Sequence, residues 1–387
     1  MSEKILDFCS ISGDPVKKYD GIKKYVATGD IIDNKISSYA EFDYSSKPSR
    51  ANQVAKIGEV LFAKMKDTIK VITINKENSE YIYSTGFYII KPKENVLTDY
   101  LYWLFNSPKF NVDKDKYCKG ATQKALNNDG LGKITIKELP KIEMQKKIVS
   151  KFNKINTIIN KKKEQLDILD ELIKSQFVEM FGDPKLNDKN WIKAPMGDYM
   201  TVLTDFSSNG SYKTLDSTVV MYDEPNYAYM VRTTDLENED YKSNVKYITE
   251  EAYNFLSKSK VYPDDIIMNK IGSAGKVYIM PDVGMPVSLG RNAFLFRYKS
   301  DIVPLFIYYL LKSEYGTNEI SQYVRGAVTK TITKDDVRKV KIIVPPIESQ
   351  NKFADFVKQI DKQKFEIQKS LDEMQELYKS LMDRYFG

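Results

Sequence analysis

The chain contains one long segment twice, and this duplication limits the folds that it can adopt. Residues 143–155 recur as residues 348–360, 205 positions later, and the match continues without a gap to Phe181 and Phe386. Solenoid proteins repeat a unit of roughly 20 to 50 residues, which is far shorter. The sequence therefore predicts two copies of a whole module, each ending in the repeated segment.

Weaker matches extend the duplication into the regions that precede these segments. Residues 26–31 match 231–236, and residues 120–124 match 326–330, at an offset that drifts by only one residue. Between such landmarks the two copies differ freely. This pattern is typical of one common frame that carries two different binding surfaces on its loops.

The two repeated segments have the apolar spacing of paired helices. Apolar residues recur in alternating steps of three and four, as in the seam of a coiled coil. The gaps in the seam are complementary, because Lys162 corresponds to Ile367 and Lys364 corresponds to Ile159. We expect the two helices to pack on each other as an antiparallel pair. An amphipathic helix lying on its own domain remains an alternative.

The remaining sequence predicts mixed domains of strands and short helices. Runs such as 60–63 and 266–268 are rich in residues that favour strands, and residues 97–105 and 303–311 have a helical pattern whose aromatic side chains belong in a core. The predicted fold class is α+β, with two mixed α/β domains in a tandem pseudo-repeat separated by two long antiparallel coiled-coil helices. The predicted segments are a first mixed domain (1–142), a first helix (143–183), a second mixed domain (184–347) and a second helix (348–387).

Composition excludes several kinds of chemistry. The chain has no histidine, which removes Ser-His-Asp triads, histidine metal sites and the usual base at neutral pH. Residues 270–276 resemble a phosphate-binding loop but lack its first glycine and its final Ser or Thr, so they are interpreted as a turn. The net charge of +6 permits nucleic-acid binding. No catalytic or metal site is predicted. The absence of a long apolar segment favours a cytoplasmic protein that does not contact a membrane.

These features resemble the DNA-specificity subunit of type I restriction–modification enzymes. The resemblance rests on residues 342–350, on the matching residues 136–145, on the helical run that ends at Met180–Pro184, and on the half-length duplication. It covers nearly the whole chain and implies a DNA-recognition subunit that is not itself an enzyme.

The resemblance also implies partners. Each mixed domain would be a target-recognition domain that reads one half of a bipartite site in double-stranded DNA. The helices would space these domains and dock two methyltransferase subunits, which carry S-adenosylmethionine, while this chain binds no cofactor. Two restriction motor subunits are a further option. Because the loops differ, we expect an asymmetric target whose half-sites lie about 10 bp apart, one turn of B-DNA.

Candidate contact residues are basic or polar side chains in matched loops, which could reach phosphates or base edges. The DNA-binding candidates are Lys47, Ser49, Arg50, Lys64, Lys66, Lys119, Gln123, Lys124, Asn269, Lys270, Ser273, Lys276, Arg291, Asn292, Arg325, Thr329 and Lys330. Candidates for a subunit interface are Glu143, Gln145, Phe181, Glu348, Gln350 and Phe386, although for the acidic and amide residues among them the sequence favours a role at the helix starts over docking.

Two other functions are compatible with the sequence. One is a coiled-coil scaffold that does not bind DNA. The other is the specificity subunit of a related methylation system that lacks the restriction motor. A self-contained enzyme is disfavoured by the missing histidine and the missing catalytic motifs.

Overall fold

The computed structural model describes residues 2–387, which form two compact units. The first unit contains residues up to 165 together with 367–387, and the second contains residues 166–366. Both divisions fall inside the long helices α5 (Ile142–Phe181) and α12 (Ile347–Phe386), each of 40 residues. Each unit therefore combines one mixed domain with a part of both helices, a grouping that differs from the four consecutive segments predicted above.

Within residues 2–387, the first unit contains twelve strands and four short helices besides its parts of α5 and α12. The strands are β1 (Ser2–Lys4), β2 (Cys9–Ser12), β3 (Lys23–Val26), β4 (Ile31–Ile32), β5 (Lys35–Ile36), β6 (Ala40–Phe42), β7 (Ala51–Val54), β8 (Val60–Ala63), β9 (Val71–Thr73), β10 (Ile82–Ser84), β11 (Phe87–Pro92) and β12 (Thr135–Lys137). The helices are α1 (Ile5–Phe8), α2 (Thr98–Asn106), α3 (Pro108–Lys116) and α4 (Asn128–Leu131).

The second unit repeats this plan with different short helices. Its strands are β13 (Ile192–Pro195), β14 (Met200–Asp205), β15 (Ala228–Val231), β16 (Tyr247–Ile248), β17 (Lys260–Val261), β18 (Ile266–Asn269), β19 (Ile271–Gly272), β20 (Val277–Ile279), β21 (Val287–Leu289), β22 (Ala293–Tyr298), β23 (Lys330–Thr331) and β24 (Lys341–Val344). Its helices are α6 (Tyr212–Thr218), α7 (Thr233–Glu237), α8 (Glu250–Phe255), α9 (Pro304–Lys312), α10 (Glu314–Ser321) and α11 (Lys334–Lys339).

Two four-stranded sheets form the frame of each unit. In the first unit their strand orders are β2-β11-β8-β9 and β6-β3-β10-β7, and in the second they are β14-β22-β18-β20 and β16-β15-β21-β17. In each unit the first of these sheets is antiparallel, whereas the second contains one parallel pair, β3 with β10 or β15 with β21. The predicted mixed fold and its tandem repetition are confirmed.

Strands β8 and β18 are largely apolar because both of their faces are buried. In β8, Val60 and Phe62 point into one hydrophobic cluster, whereas Leu61 and Ala63 point into another. Successive side chains of a strand face opposite sides, so an uninterrupted apolar run suits a strand between two cores. Strand β18 repeats the arrangement in the second unit.

Aromatic rings attach the long helices to each core. In the first unit, Phe152 of α5 stacks on Trp103 at 5.3 Å between ring centroids, and Phe386 of α12 lies 5.6 Å from Phe152. In the second unit, Phe177 of α5 lies 5.4 Å from Phe353 of α12. The aromatic residues of α2 and α9 thus serve the core, as predicted.

The two helices pack against each other with opposite directions in the second unit. Lys364 of α12 donates to Asp170 of α5 at 2.6 Å. As α5 advances from Asp170 to Phe177, its contact on α12 moves back from Lys364 to Phe353. The predicted antiparallel packing is confirmed in this unit, and the lysine in the seam is paired with a carboxylate. None of the helices in residues 2–387 is sufficiently long and apolar to span a membrane.

A buried glutamine joins the start of each long helix to the neighbouring domain. Gln145 is fully buried; its side-chain oxygen accepts from the Leu97 backbone N–H at 2.9 Å, and its nitrogen donates to the carbonyls of Asn95 at 3.0 Å and Pro140 at 2.8 Å. Gln350 repeats this arrangement with Val303 at 2.9 Å. Because Leu97 and Val303 are the N-caps, α2 and α9 begin one residue later than predicted.

The buried positions correct part of the predicted subunit interface. Gln145, Gln350, Phe181 and Phe386 are all within the cores, where a partner subunit cannot touch them. They were candidates because they recur in both copies, but the shared reason is the internal packing of the helix ends. Glu143 and Glu348 are exposed at the helix starts.

Replacing either glutamine should destabilise the chain. In Gln350→Ala, the Val303 N–H and two carbonyls lose their buried partner, which costs on the order of 2 kcal/mol of unfolding free energy. Glu348→Ala, two positions away and exposed, is the matched control. Urea unfolding followed by circular dichroism would measure both, and equal midpoints for Gln350→Ala and Glu348→Ala would contradict the proposed role of the glutamine.

Candidate nucleic-acid interface

In the first unit, backbone hydrogen bonds bring two lysine-bearing segments together. Leu126 N–H donates to the Lys64 carbonyl at 2.9 Å, and Lys66 N–H donates to the Lys124 carbonyl at 2.9 Å. Lys119 and Ala125 exchange two further bonds, of 2.9 and 3.0 Å, which close the loop 119–125. The predicted candidates at the end of β8 and in this loop are therefore neighbours.

The second unit forms the same pattern. Ile332 N–H donates to the Lys270 carbonyl at 3.1 Å, and Arg325 and Thr331 exchange bonds of 2.9 and 2.8 Å that close the loop 325–331. Every one of these residues lies 206 positions after its counterpart in the first unit. The frame that presents the two loops is thus the same down to individual hydrogen bonds.

A glycine is required at the start of each loop. Gly120 has φ +134° and Gly326 has φ +106°, values that favour residues without a β-carbon. A Cβ on either would collide with the carbonyl oxygen of Gln123 or Thr329. The Gly-Ala pair that recurs at 120–121 and 326–327 therefore marks a tight turn in each unit. In the second unit the tip of this loop extends into solvent, where Val328 is 98% exposed.

A third segment extends this surface in each unit. In the first, the Thr85 carbonyl accepts from the Lys64 ammonium at 3.0 Å, and the Thr85 N–H donates to the Arg50 carbonyl at 2.9 Å. In the second, Lys270 N–H donates to the Asn292 carbonyl at 2.8 Å, which places Arg291 beside the strand end. The structure thus groups the candidates into one surface per unit, here called the basic strip. The strip of the first unit contains Lys47, Ser49, Arg50, Lys64, Lys66, Lys119, Gln123 and Lys124, and that of the second contains Asn269, Lys270, Ser273, Lys276, Arg291, Asn292, Arg325, Thr329 and Lys330.

Comparison with known proteins assigns the family. The sequence pattern described as the type I restriction modification DNA specificity domain matches residues 4–167 and again residues 202–376. The chain belongs to this family. It is a type I restriction–modification specificity subunit, a class whose role is DNA recognition rather than catalysis.

Individual relatives agree with this assignment. A Methanocaldococcus jannaschii protein, MjaX, assigned provisionally as a type I restriction enzyme specificity subunit, is 24% identical over 315 residues, which cover 79% of this chain and 72% of that protein. A chain from a structure of a type I restriction–modification system, determined for its assembly and conformational transition, has a similar fold, with a TM-score of 0.61, 18% identity and coverage of 99% of this chain and 96% of that one. The crystal structure of an S subunit from M. genitalium gives a TM-score of 0.58 at 11% identity, covering 100% and 96% of the two chains.

Three members of the basic strips point inward. Asn269 is fully buried. The Lys270 ammonium forms a salt bridge of 2.8 Å with Asp205, and Lys64 lies over the Tyr88 ring at 4.4 Å from its centroid. Burial lowers the pKa of Lys64. The prediction that Asn269 and Lys270 contact DNA directly is therefore wrong. The Asn269 side chain is buried and the Lys270 side chain is paired with Asp205, so both support the surface from behind.

The exposed members are the stronger candidates for contact. Arg325 has a side chain that is 73% exposed and touches Asp336 at 3.2 Å, and Arg291 pairs with Asp216 while lying over the Phe206 ring at 5.3 Å. The other exposed candidates are Ser49, Arg50, Lys66, Lys119, Gln123, Lys124, Lys276, Asn292, Thr329 and Lys330.

Sequence reasoning missed a buried lysine that supports the first strip. Lys114 in α3 is 1% exposed and donates to the carbonyls of Met65 at 3.1 Å and Thr68 at 2.5 Å, so it holds the loop that carries Lys66. Burial lowers the pKa of Lys114. One feature of the sequence could have indicated that Lys114 is buried: its counterpart 206 positions later is Ile320, an apolar residue that lies in the core of the second unit.

Sequence reasoning also missed the carboxylate behind the second strip. Asp205 accepts from Lys270 and from Lys334, each at 2.8 Å, and from Ser208 at 2.7 Å. Burial alone would raise the pKa of Asp205, but these three hydrogen bonds outweigh it and lower the pKa to about 2. The ionised carboxylate thereby fixes two lysines on the inner side of the strip.

The depressed pKa predicts an acid-sensitive contribution to stability. Because the pKa of Asp205 falls from 3.8 to about 2 on folding, its contribution is complete above pH 4 and is lost as the pH falls towards 2. Its size is about 2 kcal/mol. Urea unfolding between pH 5 and pH 2 (roughly the range over which such carboxylates titrate) should show a steeper loss for the wild type than for Asp205→Asn. Asp216→Asn, which removes an exposed carboxylate, should follow the wild type. Parallel curves for all three proteins would disprove the assignment.

Proposed function

We propose that this specificity subunit reads a bipartite and asymmetric target in double-stranded DNA, with one basic strip for each half-site. The observation that supports this is the repetition of one hydrogen-bonded frame with different side chains on it. Gln123 and Lys124 occupy the first loop where Thr329 and Lys330 occupy the second, and Lys119 corresponds to Arg325. Lysine and arginine differ in how they contact base edges and phosphates, since only arginine has a planar fork of donors.

The charge of the strips suits a DNA backbone. Their exposed lysine and arginine side chains can neutralise phosphates, while their amide and hydroxyl groups can reach base edges. In the first unit a further group of lysines lies over tyrosine rings: Lys24 is 4.3 Å from the ring centroid of Tyr39, and Lys47 is 5.4 Å from that of Tyr44. A spacing of about 10 bp between the half-sites stays a prediction.

The long helices are the proposed dock for two methyltransferase subunits, which would supply S-adenosylmethionine and the chemistry. Large apolar side chains are exposed along α5 and α12, whereas a helix pair without a partner would favour polar side chains at such positions. The exposed apolar residues are Ile158, Ile168, Leu172, Val178, Phe365 and Leu377. Exposed apolar surface of this kind is typical of protein interfaces. Glu143 and Glu348, exposed at the helix starts, remain candidates for the same interface. Restriction motor subunits would complete a cytoplasmic complex, and the subunit would serve equally in a system without them.

Mapping methylated adenine tests the function directly. Genomes from cells that contain the cognate methyltransferase, with and without this chain, would be compared at single-base resolution. We expect a split, asymmetric motif that is methylated only when the chain is present. Methylation that does not depend on the chain would reject the proposal in favour of a scaffold without DNA recognition.

Arg325→Ala should weaken DNA binding by the assembled complex. Loss of one arginine contact to a base or phosphate reduces affinity about tenfold, since such contacts contribute roughly 1–3 kcal/mol. Arg338→Ala, which removes an equal charge from α11 outside the strip, is the control. Fluorescence anisotropy with a labelled target duplex at fixed salt would compare them, and equal affinities for the two variants would remove Arg325 from the interface.

A further inference from the structure

Two carboxylates, Glu237 and Glu239, line a groove beside the second basic strip, and Glu237 is the one held by donors of the β18–β20 hairpin. Glu237, at the end of α7, lines a groove of about 540 Å³ together with Lys276, Gly326 and Lys330. Gly326 and Lys330 belong to the loop 325–331 and Lys276 to the β18–β20 hairpin. Glu237 is thus part of the surface that we propose to face DNA, although it was not among the candidates from the sequence.

Two uncharged donors fix the position of this carboxylate. The side-chain nitrogen of Asn269 donates to Oε1 of Glu237 at 2.9 Å, and the Ser273 hydroxyl donates to the same oxygen. Asn269 is fully buried and also contacts Ser273 at 2.7 Å, so it cannot move without disturbing the core. Glu237 is exposed, but its hydrogen bond to the buried Asn269 amide restricts the orientation of its carboxylate.

The arrangement belongs to the second copy alone. The position of Asn269 is occupied in the first unit by Ala63, which has no polar side chain, and the position of Glu237 corresponds to Ile32, which is 59% exposed. The common frame therefore does not need the network for folding. A feature that differs between two copies at one place on the binding surface is suited to discriminate between targets.

The chemistry of DNA restricts what a carboxylate can contact there. A phosphate repels it, so Glu237 opposes backbone binding, and it can only accept hydrogen bonds. In the major groove, the amino donors are N4 of cytosine and N6 of adenine, but adenine presents the acceptor N7 beside its amino group. A carboxylate therefore favours cytosine.

We infer that Glu237 is a specificity-determining residue that accepts a hydrogen bond from the N4 amino group of a cytosine in the half-site read by the second unit. Asn269 and Ser273 are its positioning residues. The inference rests on the proposed function, because it requires the second basic strip to lie on DNA.

The test compares methylation motifs of the assembled complex. Wild-type and Glu237→Gln subunits would each be combined with the cognate methyltransferase and given a library of duplexes randomised in both half-sites. The wild type should require cytosine at one position of one half-site. In Glu237→Gln this preference should fall on the order of tenfold at that position alone, because glutamine can also donate and so tolerates adenine.

Two further variants separate positioning from general damage. Ser273→Ala removes one donor to the carboxylate and should reduce the same preference partly, without changing other positions. Glu239→Gln removes a neighbouring carboxylate that lines the same groove and should leave the motif unchanged.

The outcomes distinguish this inference from the function on which it rests. A wild-type complex that methylates without sequence preference would overturn the proposed function. A wild-type motif that Glu237→Gln leaves unchanged, or weakens equally at every position, would overturn the role of Glu237 only.

Discussion

The organisation of both units depends on a glutamine amide that is buried where a long helix meets its domain. Gln145 and Gln350 each bind one N–H at the start of a short helix and two carbonyls of the adjoining chain. Burying an amide is costly unless its hydrogen bonds are formed, so only one position of the helix start satisfies it. This polar contact restricts the orientation of the helix start, and the aromatic packing of Phe152 and Phe353 adds buried apolar contacts between the helix and the domain core.

Other buried polar contacts, below the basic strips, explain how one frame supports two binding surfaces. Below each strip, the backbone bonds between the strand end and the loop are identical, while the side chains that support them differ. A buried ammonium, Lys114, holds the first strip from α3, and a carboxylate, Asp205, holds the second from β14. Because the support is internal and local to each unit, the exposed side chains can vary without loss of the frame.

The sequence was sufficient for the fold class and the family, since these depend on periodicity and on the duplication. It was not sufficient for the role of single side chains. Lys64 and Lys270 are equivalent in the sequence, but only Lys270 has a carboxylate partner, which comes from a strand 65 residues earlier. The sequence favoured the helix-start role of Gln145 but left docking open, and only its burial excludes docking. Glu237 was missed because a lone acid in a basic region carries no pattern, and its orientation depends on Asn269.

The sharing of helices between units has a consequence for how the chain is made. The core of the first unit includes Met382 and Phe386, which follow the whole of the second unit in the chain and are therefore synthesised after it. The second unit needs only residues 166–366, so its core can be completed earlier, although its domain is encoded later. Until residues 367–387 are synthesised, Phe152 and Trp103 lack the rings of α12 that cover them, and the nascent first domain exposes an apolar surface of the kind that chaperones protect. The domain translated first is therefore the last to be finished.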